Sequence, residues 1–219
     1  MTVNSPAKKP VPGRTRSSRA EGAASTRASV LGAALDLFTQ HGFAATRMDD
    51  IAARAGVAKG TAYLHFEHKQ ALFEAIIRST VVPALESVRA FQPELDEPTR
   101  VFAGRLLTTL WRRLRDGGGA QVIRLLIAEG PRFPRLAEAY YQSVVEPGLG
   151  LMRALAERAK SRGEPVADAA RQFPLLVVTP ALFGLLWGSL FERFEPLDVG
   201  AMIEAQLDLL FGPAEASPD

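Results

Sequence analysis

Cysteine is absent from the 219 residues. That excludes a disulfide framework, thiol catalysis and cysteine-ligated zinc, and it suits a reducing cytoplasm. Histidine is scarce, and its three copies, His41, His65 and His68, all fall in the first third. A metal site built from them would lack cysteine and a suitable set of carboxylates, so no metal or other cofactor is expected. The chain also has no phosphate-cradling glycine loop and no nucleophile elbow. The Gly117, Gly118 and Gly119 run reads as a helix break. No apolar stretch marks a secretory signal near the start. There is neither an alternating strand pattern nor an internal repeat. These absences remove the main enzyme classes and predict a cytoplasmic, all-α protein.

What is present is a proper core and an uneven charge. Apolar residues make up 47% of the chain and charged residues 23%, with a net charge of only +2. Residues 1–70 hold ten Lys and Arg against five Asp and Glu, whereas the remainder holds sixteen against nineteen. A basic front on a slightly acidic body suggests a polyanion bound at one end, with chance scatter as the alternative. Residues 1–24, with Pro6, Pro10, Pro12 and five basic side chains, are expected to form a disordered basic arm.

Order is expected from Ser25 or Thr26, either of which can cap a helix. Val30, Ala34, Leu37, Phe38 and His41 recur at helical spacing, and Gly42 ends that helix. Short helices follow over 47–54 and 58–64, then a long one over 69–90. Pro93 and Pro98 bracket a polar stretch that separates a small N-terminal domain from a larger one. Beyond it, helices are predicted over 98–115, 120–129, 134–161 with a kink at Pro147, 168–194 and 198–211.

Residues 42–72 carry the most informative pattern. Thr46, followed three residues later by Asp49, is a capping-box-like start that favours a helix from Arg47. Met48, Ile51, Ala52 and Ala55 form its apolar face, Gly56 breaks it and Val57 plugs the turn. Two short helices joined by a tight glycine turn, with alanines where they touch, cross steeply and present the second helix to a DNA major groove. Lys59 and the Gly60 N–H lie at the positive end of that helix, where a phosphate is favoured. Thr61, Tyr63 and His65 offer further donors, and Lys69 opens the next helix. Spacing alone leaves open a plain helical hairpin in a small bundle.

The run Phe43, Thr46, Met48, Asp50, Ile51, Ala52, Ala55, Gly56, Val57, Lys59, Gly60, Thr61, Tyr63, His65, Phe66, Lys69 and Leu72 resembles the N-terminal signature of the tetracycline-repressor (TetR) family. The resemblance implies that Thr46, Lys59, Thr61, Tyr63, His65 and Lys69 contact phosphates. It places Lys59, Gly60 and Tyr63 nearest the bases; Arg47 and Ala58 complete the expected DNA-facing set. Ala58 stands where the family often has serine, losing a cap and a donor, and Ala62 replaces a usual leucine. The implied architecture is a three-helix helix-turn-helix domain over 25–75, a helical ligand-binding and dimerisation domain of about nine helices over 76–212, and a tail from 213. The implied function is a transcriptional regulator, expected to be a repressor that releases its operator on binding a small apolar or aromatic effector. The alternative is an effector-independent DNA-binding repressor or activator.

The larger domain has no motif of comparable specificity. The segment Ala128–Glu129–Gly130–Pro131–Arg132–Phe133–Pro134, followed by Tyr140 and Tyr141, is similar to a common subgroup of that family. Phe102, Leu106, Leu110, Trp111, Leu126, Tyr140, Tyr141, Phe183 and Trp187 are the candidate effector lining, with ordinary core packing as the alternative for each. Arg105 or Arg124 is a candidate partner for an anionic headgroup. Gln172 to Phe191 is a charge-free run of membrane-spanning length. Two prolines and two glycines argue against a span, leaving burial in a dimer interface as the expectation. Met202, Ile203, Leu207, Leu210 and Phe211 are expected to form a second interface face, giving a four-helix bundle between two copies. Gly184 and Gly188, four apart, permit a close helix approach.

Overall fold

The computed structural model describes residues 16–213, and all the regular structure among them is helical. A small head contains α1 (Arg16–His41), α2 (Met48–Arg54) and α3 (Lys59–His65). The body contains α4 (Lys69–Thr80), α5 (Val82–Arg89), α6 (Thr99–Asp116), α7 (Gly119–Glu129), α8 (Pro134–Tyr140), a π-helical turn (Tyr141–Val145), α9 (Glu146–Ser161), α10 (Asp168–Gln172), α11 (Leu175–Leu190) and α12 (Val199–Phe211). The nine helices from α4 to α12 match the expected number for the larger domain.

Four expectations are corrected. The first helix begins at Arg16 rather than at Ser25, nine residues earlier than expected. This stretch has few apolar residues to pack, but Arg19, Ala20, Glu21, Ala23 and Ala24 are strong helix formers that extend the helix outward. The rest of the expected arm, and the tail beyond Pro213, lie outside the described residues. The expected helix over 69–90 is two helices that meet at Val81. Pro83 has no N–H for the carbonyl of Ser79, and its ring crowds that carbonyl, so the helix restarts. Over 134–161 there is a π turn instead of a simple kink. The Glu146 N–H bonds the Tyr141 carbonyl five residues back, and this wider turn carries the chain into Pro147. The expected helix over 168–194 is broken before Pro174 and ends at Leu190. Among the described residues no helix is long and apolar enough to cross a membrane.

Pro180 remains inside α11 because another group satisfies the carbonyl it orphans. The Leu176 carbonyl accepts the Gln206 side-chain amide from α12 at 3.3 Å.

The body packs around α6, which touches α5, α7, α9, α11 and α12. Leu106 and Leu107 are fully buried on it. Its first turn is tied to α12 by Arg100, which donates to Asp208 at 2.5 Å and Glu204 at 2.8 Å. In the head, Phe38 and Phe43 pack with ring centroids 5.0 Å apart. Phe73 of α4 closes the same cluster, each buried phenyl contributing roughly 2 kcal/mol. The head is therefore continuous with α4 and the body.

Candidate nucleic-acid interface and effector cavity

The head builds its exposed face from the turn between α2 and α3. Gly56 has φ +68°, a conformation that favours glycine. The Val57 N–H reaches the Ala52 carbonyl at 3.0 Å and the Gly56 N–H reaches the Ala53 carbonyl at 3.1 Å, which closes α2. Ile51, Ala52 and Ala62 are buried where the helices meet, so small side chains let α3 lie close. On the outside, Arg47, Ala58, Lys59, Gly60 and Tyr63 are exposed, whereas Thr61 and His65 are half-buried. Leu64, a residue the sequence did not single out, is 83% exposed beside them.

Lys59 is held rather than free. Its ammonium lies 2.8 Å from the Asp49 carboxylate across the turn. This hydrogen bond and the opposite charge raise the Lys59 pKa, while nearby Arg47 opposes the shift. Asp50, not Asp49, supplies the reciprocal cap, accepting the Arg47 N–H at 3.3 Å. Ala58 occupies the N-cap of α3 with no side-chain hydrogen bond. Ala58→Ser is therefore expected to stabilise the chain by about 0.5–1 kcal/mol, seen as a higher urea midpoint. An unchanged midpoint would show that capping does not limit this helix.

Two of the residues expected to meet phosphates also bond within the chain. Thr46 is 3% exposed, and its hydroxyl donates to the carbonyls of Gly42 at 2.8 Å and Leu37 at 3.2 Å. Through these bonds it shapes the turn before α2. Lys69 donates to the carbonyls of Phe43 at 2.5 Å and Ala44 at 3.0 Å. Burial lowers its pKa, since the ammonium has exchanged water for backbone partners, although Glu129 opposes the shift. The same turn is gripped from the body. Glu129 at the end of α7 accepts the Phe43 N–H at 2.8 Å, and Phe133 at the start of α8 packs on the Phe43 ring at 5.0 Å. A carboxylate on the N–H and an ammonium on the carbonyls thus hold this turn against the body. The quoted segment around Glu129 contains both body residues, but nothing in its local pattern marks either as a contact to the head.

The body holds an apolar cavity of about 110 Å³ among α5, α6, α8, α9, α11 and the π turn, open to the surface beside the exposed Leu175. Its walls are Val81, Leu85, Leu110, Leu114, Tyr140, Val144, Val145, Gly148, Leu149, Met152, Leu175, Val178 and Leu182. Of the nine residues expected to line it, only Leu110 and Tyr140 do. Phe102 and Leu106 are buried core, Leu126 packs against that core, and Tyr141 faces outward. Trp111 lies on a separate outer groove with Arg124, while Phe183 and Trp187 stack along α11 at 5.8 Å. Arg105 is paired with Glu97 at 2.9 Å, so neither arginine faces the cavity. Aromatic side chains prompt the expectation, whereas the wall of this cavity is mostly aliphatic and carries no distinctive sequence mark. Burial pushes the Tyr140 phenol up to about 12, so it stays protonated.

The expected α12 interface face is corrected too. Ile203, Leu207, Leu210 and Phe211 are all buried within their own chain. They pack on α6 and α11. The apolar surface left exposed lies at Leu175, Phe183 and Leu190 on α11 and at Leu209 on α12.

Comparison with known proteins agrees with this two-part build. Residues 30–76 match the model of bacterial regulatory proteins of the tetR family, and residues 104–210 match that of the tetracyclin repressor-like C-terminal domain. The HTH-type transcriptional regulator RutR of Escherichia coli K12 is 35% identical over 81 residues, 37% of this chain and 38% of RutR. The match therefore spans well under half of that relative. The HTH-type transcriptional repressor BepR of Brucella suis is 28% identical over 172 residues, 74% of this chain and 81% of BepR. Among solved structures, a complex of SmeT with triclosan superposes with a TM-score of 0.67 at 21% identity, covering 84% of this chain and 88% of that one. With a matched helix-turn-helix head and a matched C-terminal body, the chain belongs to the TetR family of bacterial regulators.

Proposed function

We propose that this chain is a cytoplasmic, homodimeric transcriptional repressor that holds operator DNA with α3 and releases it when a small molecule fills the body cavity. The observation that carries this reading is the path of α4. Lys69 at its first residue grips the turn that sets α2, and Val81, just past its last residue, lines the cavity. A ligand that displaces Val81 acts on the same rod that positions the recognition helix. Paired recognition helices must meet successive major grooves about 34 Å apart, so a small displacement of each head is enough to disfavour binding. Supporting the repressor reading, BepR is described as a repressor. Supporting the effector reading, SmeT is described in complex with triclosan. The exposed apolar stripe Leu175, Phe183 and Leu190, with Leu209 of α12, is the proposed dimer face.

The test is fluorescence anisotropy with a duplex from upstream of the chain's own gene and a scrambled duplex, at several salt concentrations. Preferential binding of the native duplex, two chains per site, supports the reading. Failure to bind either duplex at low salt, or a monomer by light scattering, would sink it.

The Glu129 contact gives a further expected outcome. Glu129→Ala strips the Phe43 N–H of its charged acceptor and is expected to cost about 1–2 kcal/mol in urea unfolding. Glu129→Gln, which keeps an acceptor, should cost less than half as much. Equal losses from both variants would mean that the charge beside Lys69, not the hydrogen bond, holds the turn.

A further inference from the structure

We infer that the cavity selects an uncharged molecule, apolar over most of its surface and bearing one hydrogen-bonding group, and that Tyr140 recognises that group. The inference rests on the effector reading above and adds the chemical class. Tyr140 is the only polar side chain among the residues that line the cavity, and no charged residue lines it. Its hydroxyl makes no hydrogen bond to another described residue. Tyr140 is half-buried in the cavity wall, so its unpartnered hydroxyl is available to a ligand that seats against it. A phenol both donates and accepts, which suits an alcohol, a phenol, a ketone or an amide.

The same walls reject ions. A carboxylate or ammonium seated against Tyr140 on the inner wall would lose its water and find no opposite charge, because Arg105 is engaged by Glu97 and Arg124 lies on the outer groove. The size of the cavity, about 110 Å³, suits one ring or a short chain. Its π-turn side has room to adjust: Val144 and Val145 lie on that turn, and a Cβ at neighbouring Gly148 would meet no atom within 4 Å. π turns are commonly found at functional sites.

The test is calorimetric titration of the full chain at neutral pH with benzyl alcohol, benzoate and benzylammonium, which share one ring and differ in headgroup charge. Benzyl alcohol is expected to bind one per protomer and at least about tenfold more tightly than either ion. Tyr140→Phe should weaken it about fivefold, and Gly148→Leu, which fills the cavity, should abolish binding. Three results would overturn the inference: an ion that binds as tightly as the alcohol, alcohol binding unaffected by both substitutions, or no binding by any probe. Operator release is read separately by anisotropy. An alcohol that fills the cavity without changing DNA affinity would overturn the effector reading and leave the ligand class standing. An ion that binds and releases DNA would do the reverse.

Discussion

Gly184→Ala is expected to destabilise the chain by roughly 2 kcal/mol or more, although alanine is the better helix former by about 1 kcal/mol. A Cβ at Gly184 would lie 2.5 Å and 2.7 Å from the two methyl carbons of Val199, closer than real contacts allow. Val199 is 4% exposed at the first residue of α12, so neither methyl has open space to swing into. The mutation must therefore push α12 off α11, at the start of a helix that Arg100 and Gln206 otherwise hold in place. Two companions make the cause specific. Val199→Ala removes both offending methyls, leaving the Val199 Cβ at 3.2 Å, so the double variant should recover most of the loss. A coupling of about 1–2 kcal/mol is expected from that cycle in urea unfolding. Gly188→Ala meets only a flexible Glu192 oxygen at 3.7 Å and should be neutral or stabilising. If Gly184→Ala and Gly188→Ala behave alike, close approach does not explain the glycine.

The Gly184 and Gly188 pair also marks the limit of what the sequence carries. Four-residue spacing identified a surface where helices approach closely, but only Gly184 is at the contact, because which flank meets α12 depends on where Asp198 restarts the chain. The head was far more legible. Its helices are short, each is bounded by a turn with its own chemistry, and its contacts are local, so Gly56, Ala52 and the exposed Lys59 could be placed from spacing and resemblance. The backbone bonds of Thr46 and Lys69 were not legible: a polar side chain near a DNA-facing helix looks the same in sequence whether or not it also satisfies a nearby carbonyl. The body was legible as helices but not as a cavity. Leu85, Val144, Met152 and Val178 are ordinary apolar residues at helical spacing, and what makes them a wall is the long-range packing of α5, α9, α11 and the π turn. Pro83 is a readable signal of the break. An internal proline after a β-branched pair divides the rod between head and cavity, which places the joint at Val81, beside the space a ligand would occupy.

Lys59→Ala is expected to weaken operator binding by roughly tenfold to a hundredfold and to reduce the slope of log affinity against log salt by about two per dimer, one for each lost phosphate contact. The exposed Lys59 side chain is the most prominent cation at the start of α3, yet its ammonium is already bonded to Asp49. Binding DNA must exchange that partner for a phosphate, and Asp49 adds its own repulsion to the approaching backbone. Asp49→Asn should therefore act in the opposite direction, tightening binding several-fold at low salt. Its cost in stability is small, because an exposed pair is screened by water and the acid it removes from the first turn of α2 leaves Asp50 in place. In the Asp49→Asn background, Lys59→Ala should cost more than it does in the parent chain, because the lysine it removes is then fully available to phosphate. Tyr63, whose ring lies 5.9 Å from the same ammonium, provides the contrast. Tyr63→Phe should leave the salt slope unchanged and lower affinity only for the native duplex, if its hydroxyl reads or positions a base edge. Anisotropy titrations at several salt concentrations separate these effects. An unaltered slope with Lys59→Ala would mean that α3 does not meet the phosphate backbone through this residue, and that the DNA-facing surface lies elsewhere on the head.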